Sequence, residues 1–127
     1  MQHKSRPVFL ELFTLLAKMS VNAKASILHR LSGVLLVVSI PFIIYVFHQS
    51  LVSQDFYTTL YGVVSNPIVK ILYIIFIWCF IYHLCSGVRF LFIDIHKGVE
   101  IRSAKLTARI VILTSIVLTI LLGAWIW

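Results

Sequence analysis

The chain has 127 residues, of which 61% are hydrophobic and 12% charged. Soluble domains average about 45–50% apolar and about 25% charged residues, so a soluble globular domain is excluded. High hydrophobicity also excludes a disordered chain. The net charge of +7 would suggest nucleic acid in a soluble protein, but the basic residues sit at the ends of apolar runs and report membrane topology instead. The expected fold class is an all-α membrane protein with three transmembrane helices.

Residues 1–25 form a polar to amphipathic N-terminal segment with Pro7 early. Leu10, Phe13, Leu16 and Ala17 recur at helical spacing, which predicts a short interfacial helix. The stretch from Met1 to Asn22 mixes Lys4, Arg6, Glu11 and Lys18 with apolar residues, so no cleavable leader is expected. The first transmembrane helix is predicted over 26–48; no formal charge lies between Arg30 and Asp55. About 20 helical residues cross a hydrocarbon core of about 30 Å. Pro41 lies within this run, which membrane helices tolerate.

Residues 49–66, with Asp55, Gly62 and Asn66, read as a short linker. Pro67 suits the first turn of a second helix, predicted over 67–94. Residues 95–105 read as a polar connection, and a third helix is predicted over 106–127, with Trp125 and Trp127 as interfacial anchors. Cys79 and Cys85 fall on different faces of the second helix and are expected as small apolar fillers, not a disulfide.

Basic residues set the topology. Lys4, Arg6, Lys18, Lys24 and Arg30 precede or open the first helix; Arg89, Lys97, Arg102, Lys105 and Arg109 surround the second connection. The first connection is flanked only by Lys70. The positive-inside rule therefore places the N-terminus in the cytoplasm, or in the matrix of an organelle.

Two polar clusters interrupt the apolar helices, and intramembrane polar residues are functional hypotheses by default. In the first, Ser26, His29, Arg30 and Gly33 share an arc of about 100°. A hydroxyl, an imidazole and a guanidinium on one stripe can hydrogen-bond a carbonyl or hold an acidic group. The alternative is a snorkelling Arg30 with Ser26 as a cap. In the second, His83, Gly87, Phe90 and Asp94 line a stripe about 60° wide. A neutral imidazole there can ligate a metal such as haem iron, with Gly87 leaving room for something flat. The alternative is a histidine bonded to a neighbouring helix, with Gly87 allowing close packing. Asp94 and Arg89 could pair with each other or with a partner. His48 and His96 lie near helix ends and His3 in the tail. No phosphate loop, Cys-rich metal motif or Ser-His-Asp set occurs, and nothing supports nucleic-acid recognition.

With Arg6-Pro7-Val8, these clusters carry a family resemblance. Ser26-Ile27-Leu28-His29-Arg30-Leu31-Ser32-Gly33 and His83-xxx-Gly87-Val88-Arg89-Phe90-xxx-Asp94 resemble the larger cytochrome b membrane anchor of succinate dehydrogenase. The similarity spans the chain. It implies one subunit of respiratory complex II, a heteromeric helical bundle with a flavoprotein, an iron–sulfur protein and a second small membrane anchor, in a bacterial or mitochondrial inner membrane. It implies that succinate is oxidised on another subunit and that electrons reach ubiquinone beside this one, so the isolated chain carries no catalytic residue. His83 would be an axial ligand of one b-type haem, shared with the second anchor. His29 and Arg30 would lie near the haem propionates, and Ser26 and Arg30 would help form the quinone pocket. Phe90 departs from relatives that carry a second histidine at that position. The other readings are a haem-free quinone-binding anchor of a related fumarate reductase, and a membrane adaptor with no redox role. An intrachain His29–His83 ligand pair on one iron is a further arrangement the spacing leaves open.

Overall fold

A computed structural model describes residues 12–127, except the side chains of Leu12, Phe13 and Leu16. Five helices follow in order: α1 (Leu12–Lys18), α2 (Val21–Val52), α3 (Gln54–Val64), α4 (Pro67–Asp94) and α5 (Ile101–Ile126). No strand occurs among the described residues. Helices α2, α4 and α5 are long and apolar enough to cross a membrane. Leu10 and the Arg6-Pro7-Val8 stretch lie outside the described residues, as do the Phe13 and Leu16 side chains. The amphipathic reading of the N-terminal segment therefore rests on sequence alone.

Local chemistry sets the helix limits. The Ser20 hydroxyl accepts a hydrogen bond from the Ala23 amide and caps α2. The Asn66 side chain accepts from the Ile68 amide at 2.9 Å, and Pro67 follows where a missing N–H costs nothing. Helix α5 begins at Ile101, five residues earlier than the apolar run, because Arg102 and Lys105 belong to its first turns. Long basic side chains can stay helical there and still reach the interface.

The stretch read as a linker is mostly helical. Helix α2 continues to Val52, and Ser53 both ends it and caps α3 by accepting from the Phe56 amide. Asp55 lies in the first turn of α3, where a carboxylate favours the helix dipole. Phe56 and Leu60 are half-buried, while Tyr57 and Tyr61 are exposed. This apolar spacing at 3–4 residues outweighs Gly62.

Helix α4 packs most heavily on α5 and next on α2, and α2 and α5 also touch. The buried face of α5 is made of Ala104, Ala108, Ser115, Thr119 and Gly123. Small residues let membrane helices approach closely, since packing rather than apolar transfer drives their association in lipid. The Ser115 and Thr119 hydroxyls donate to carbonyls of their own helix at 2.8 and 2.7 Å, so they are buried without loss. Most large apolar residues of the three spans point away from the bundle, among them Val38 and Phe42. Such a surface suits lipid or further membrane helices.

Arg89 ties the three spans together. It is 7% exposed, yet no carboxylate neutralises it among the described residues. Its guanidinium donates to Thr107 Oγ1 at 3.1 Å, to the Ala104 carbonyl at 3.2 Å and to Asn22 Oδ1 at 3.5 Å. The ring of Phe90 lies 5.4 Å from Arg89 Cζ. Of the two arrangements the sequence leaves open, Arg89 and Asp94 do not pair with each other, and Asp94 is exposed. Removing Arg89 would strand buried acceptors on α2 and α5. Arg89→Ala is expected to destabilise the bundle by about 1–3 kcal/mol, read as a lower midpoint of thermal unfolding in detergent. An unchanged midpoint would show that these bonds contribute nothing.

Candidate functional site

The two sequence clusters meet where α2 crosses α4. Each helix carries a histidine followed four residues later by a glycine: His29 and Gly33 on α2, His83 and Gly87 on α4. One helical turn separates the members of each pair, so both lie on one face. The connections make α2 and α4 antiparallel, and each histidine meets the glycine of the other helix. A Cβ on Gly33 would come within 2.8 Å of His83 Cε1, and one on Gly87 within 3.7 Å of His29 Nε2. The imidazoles stack between them, with centroids 4.2 Å apart and planes 8° from parallel. Phe90 closes the His29 side at 5.0 Å.

Hydrogen bonding fixes the His83 ring. Its Nδ1 lies 3.1 Å from the His29 carbonyl and 3.2 Å from Ser32 Oγ. The Ser32 hydroxyl donates to that same carbonyl at 2.9 Å. A carbonyl oxygen can only accept, so Nδ1 carries the proton and donates to it. The tautomer then leaves the lone pair on Nε2, which has no hydrogen-bond partner among the described residues. His83 and Gly33 also line an apolar groove of about 500 Å³ between α2 and α4, with Leu36, Ile40, Phe76 and Phe80. An imidazole with one nitrogen bonded to backbone and the other free is the arrangement of a metal-ligating histidine.

His29 behaves differently. Its Nε2 is buried and has no hydrogen-bond partner among the described residues. A buried polar atom without a partner is costly, and native proteins supply one from protein, water or a bound group. The stacked geometry rules out both histidines on a single iron in this packing. Nitrogen lone pairs lie in the ring plane, and parallel stacked rings do not aim theirs at one point.

Ser26 and Arg30 lie one turn apart on α2. Ser26 is half-buried and Arg30 exposed, and neither makes a hydrogen bond or ion pair among the described residues. A hydroxyl and a guanidinium are left free to donate at one end of the membrane-spanning helix. His48 and His96 are exposed, His96 in a turn with φ of 60°. Neither approaches the His29–His83 pair. Both cysteines are free.

Sequence reading did not single out two elements. Tyr82 is fully buried, stacks on Trp78 at 5.6 Å and donates its hydroxyl to the Ala25 carbonyl at 2.8 Å. Adjacent α4 residues, Tyr82 and His83, thus both bond to carbonyls of α2, one turn apart. This fixes the register of the helix pair directly beside Ser26. Ser32 was the other omission. A sequence signal existed for Tyr82, since a tyrosine deep in an apolar run requires a partner for its hydroxyl. Tyr82→Phe is expected to cost about 0.5–1.5 kcal/mol of stability in detergent. An unaltered thermal midpoint would show that the bond does not hold the register.

The family profile described as succinate dehydrogenase/fumarate reductase transmembrane subunit matches residues 2–122. The chain belongs to this family. It is 34% identical over 105 residues to the succinate dehydrogenase cytochrome b556 subunit of Rickettsia prowazekii (strain Madrid E), covering 83% of this chain and 82% of that one. The corresponding subunit of Rickettsia bellii (strain RML369-C) is 35% identical over 107 residues, covering 83% and 82%. That of Coxiella burnetii (strain RSA 493 / Nine Mile phase I) is 29% identical over 103 residues, covering 80% and 82%. The three apolar spans and this membership make the chain a multi-pass inner-membrane protein.

Proposed function

We propose that this chain is the cytochrome b anchor of a succinate:ubiquinone oxidoreductase, holding one b-type haem and helping to form the site of ubiquinone reduction. In this role it links the citric acid cycle to the respiratory chain. The observation that carries the reading is His83. Its Nδ1 is committed to a backbone carbonyl, its Nε2 is free, and the ring borders an apolar groove. The residues present fit a haem. His83 Nε2 would hold the iron, the groove would accept part of an apolar macrocycle, and His29 Nε2, unpartnered among the described residues, would offer it a donor or acceptor. When bound, a b-type haem supplies a one-electron redox centre beside the quinone. Since His29 stacks on His83 and does not aim a lone pair at the same point, a second ligand to the iron would come from the second small anchor.

Arg30 and His29 stand at the end of α2 where carboxylate propionates would meet an interface. A guanidinium there makes charge-assisted hydrogen bonds. Ser26 and Arg30 would bind ubiquinone by donating to a carbonyl oxygen, and hydrogen bonds to that oxygen strengthen as it gains charge on reduction. Ser26, Arg30 and the start of α5 lie at one end of the bundle together with Lys24, Arg102 and Lys105. That end faces the cytoplasm or matrix, where the flavoprotein and iron–sulfur subunits dock and succinate is oxidised.

A reduced-minus-oxidised optical spectrum of the intact complex tests the reading. A b-type band that disappears in His83→Ala is expected. A complex with flavin and quinone reduction but no b-type band would favour a haem-free anchor. A chain that does not co-purify with flavin and iron–sulfur subunits would leave only a non-redox adaptor.

A further inference from the structure

Resting on His83 as the haem ligand, we propose that Gly33 and Ser32 are its positioning residues. Gly33 supplies the space that the imidazole occupies, and Ser32, with the His29 carbonyl, holds its Nδ1–H so that Nε2 keeps the lone pair.

The two His-xxx-Gly pairs are alike in sequence but unequal in space. A Cβ on Gly87 would meet His29 Nε2 at 3.7 Å, an ordinary van der Waals contact. A Cβ on Gly33 would meet His83 Cε1 at 2.8 Å and Nδ1 at 3.3 Å, so the ring must move. The ring has little freedom to do so. Its face is covered by His29 at 4.2 Å, and Nδ1 is held at 3.1 Å by the His29 carbonyl. Displacement breaks that bond and re-aims Nε2. Only a hydrogen atom at position 33 leaves the ring in its place.

Ser32 acts on the same atom. Its hydroxyl proton goes to the His29 carbonyl, so its oxygen is free to accept from His83 Nδ1. Nδ1–H is thus shared between two acceptors. Hydrogen bonds from the outer nitrogen of a metal-bound imidazole raise the basicity of the ligating nitrogen and fix the ring orientation. Basic axial nitrogen stabilises the ferric state. Loss of the Ser32 acceptor is therefore expected to raise the haem midpoint potential.

The experiment compares five variants of the intact complex: Gly33→Ala, Gly87→Ala, Ser32→Ala, Ser32→Thr and His83→Ala. Haem per chain is measured as the pyridine adduct, and midpoint potential by redox titration. Replacing glycine by alanine inside a helix favours the helix at both positions, so propensity does not separate the glycine variants. Gly33→Ala is expected to lower haem affinity about 10–100-fold, the usual effect of disturbing a group that orients a metal ligand. Gly87→Ala, where the contact is an ordinary 3.7 Å, is expected to keep markedly more haem than Gly33→Ala. Ser32→Ala should keep haem at a raised potential, and Ser32→Thr, which retains the hydroxyl, should restore the wild-type value. Equal haem loss in both glycine variants would indicate general packing of the helix pair and overturn the role of Gly33. An unmoved potential in Ser32→Ala would overturn that of Ser32. Normal haem in His83→Ala would instead refute the ligand assignment itself. Haem lost from His83→Ala but retained unchanged in Gly33→Ala would refute the positioning role alone.

Discussion

The complex containing His83→Ala is expected to retain its flavin and lose its b-type haem, to about a tenth of the wild-type content or less. Losing a group that merely orients a metal ligand costs about 10–100-fold in affinity, and losing the ligand itself costs at least as much. The substitution also removes the side chain that lies nearest Gly33, so part of the groove wall collapses or fills with lipid. A His83→Met variant separates the two effects. It offers a sulfur ligand of different strength at a similar volume, so partial haem retention with a shifted band is expected. A normal haem content and spectrum in His83→Ala would place the ligand elsewhere.

Arg30→Ala is expected to damage quinone reduction and leave haem attached. Arg30 is exposed and has no partner among the described residues, so its loss does not unsettle the α2–α4 contact. A hydrogen bond from a charged donor is worth about 1.5–3 kcal/mol, which corresponds to about a 10–100-fold fall in kcat/KM for ubiquinone. Electron transfer from succinate to a soluble dye that bypasses the quinone site should stay at the wild-type rate. Ser26→Ala should give a smaller loss, because a neutral hydroxyl contributes less than a guanidinium. Unaltered quinone kinetics in Arg30→Ala would remove it from the pocket.

The three spans were legible because hydrophobic length is a local property, written in each run of residues. Helix α3 was not. Its polar residues and Gly62 suggest a loop, while the signal for a helix lay in the Ser53 cap and in the spacing of Phe56 and Leu60. At the site, the histidine and glycine of each stripe could be placed on one face from spacing alone. Which residue each would meet depends on the register between helices, and no single-helix pattern carries that. A Cβ on Gly87 would meet His29 Nε2 at 3.7 Å, and the closer contact, 2.8 Å to His83 Cε1, is made at Gly33. For Arg89 the sequence leaves open a pair with Asp94 or with a partner, and the first does not form: five residues along a helix turn through about 500°, so the two side chains leave different faces. The bonds Arg89 makes run to α2 and α5, which its own helix could not reveal.

The same register explains why so little polar chemistry serves both packing and function. Tyr82 bonds to the Ala25 carbonyl of α2 through the lone pair its helix leaves over, and His83 Nδ1 shares the His29 carbonyl with the Ser32 hydroxyl. The helix pair is thereby aligned without the side chains of Ser26 and Arg30, which have no partner among the described residues.

Haem stoichiometry in the detergent-purified native complex, with the reduced-minus-oxidised spectrum taken on the same sample, decides whether His83 holds a haem in the assembly. About one b-type haem per copy of this chain, alongside flavin, is the predicted result. A complex that contains this chain and flavin and reduces ubiquinone, yet shows no b-type haem, would contradict it.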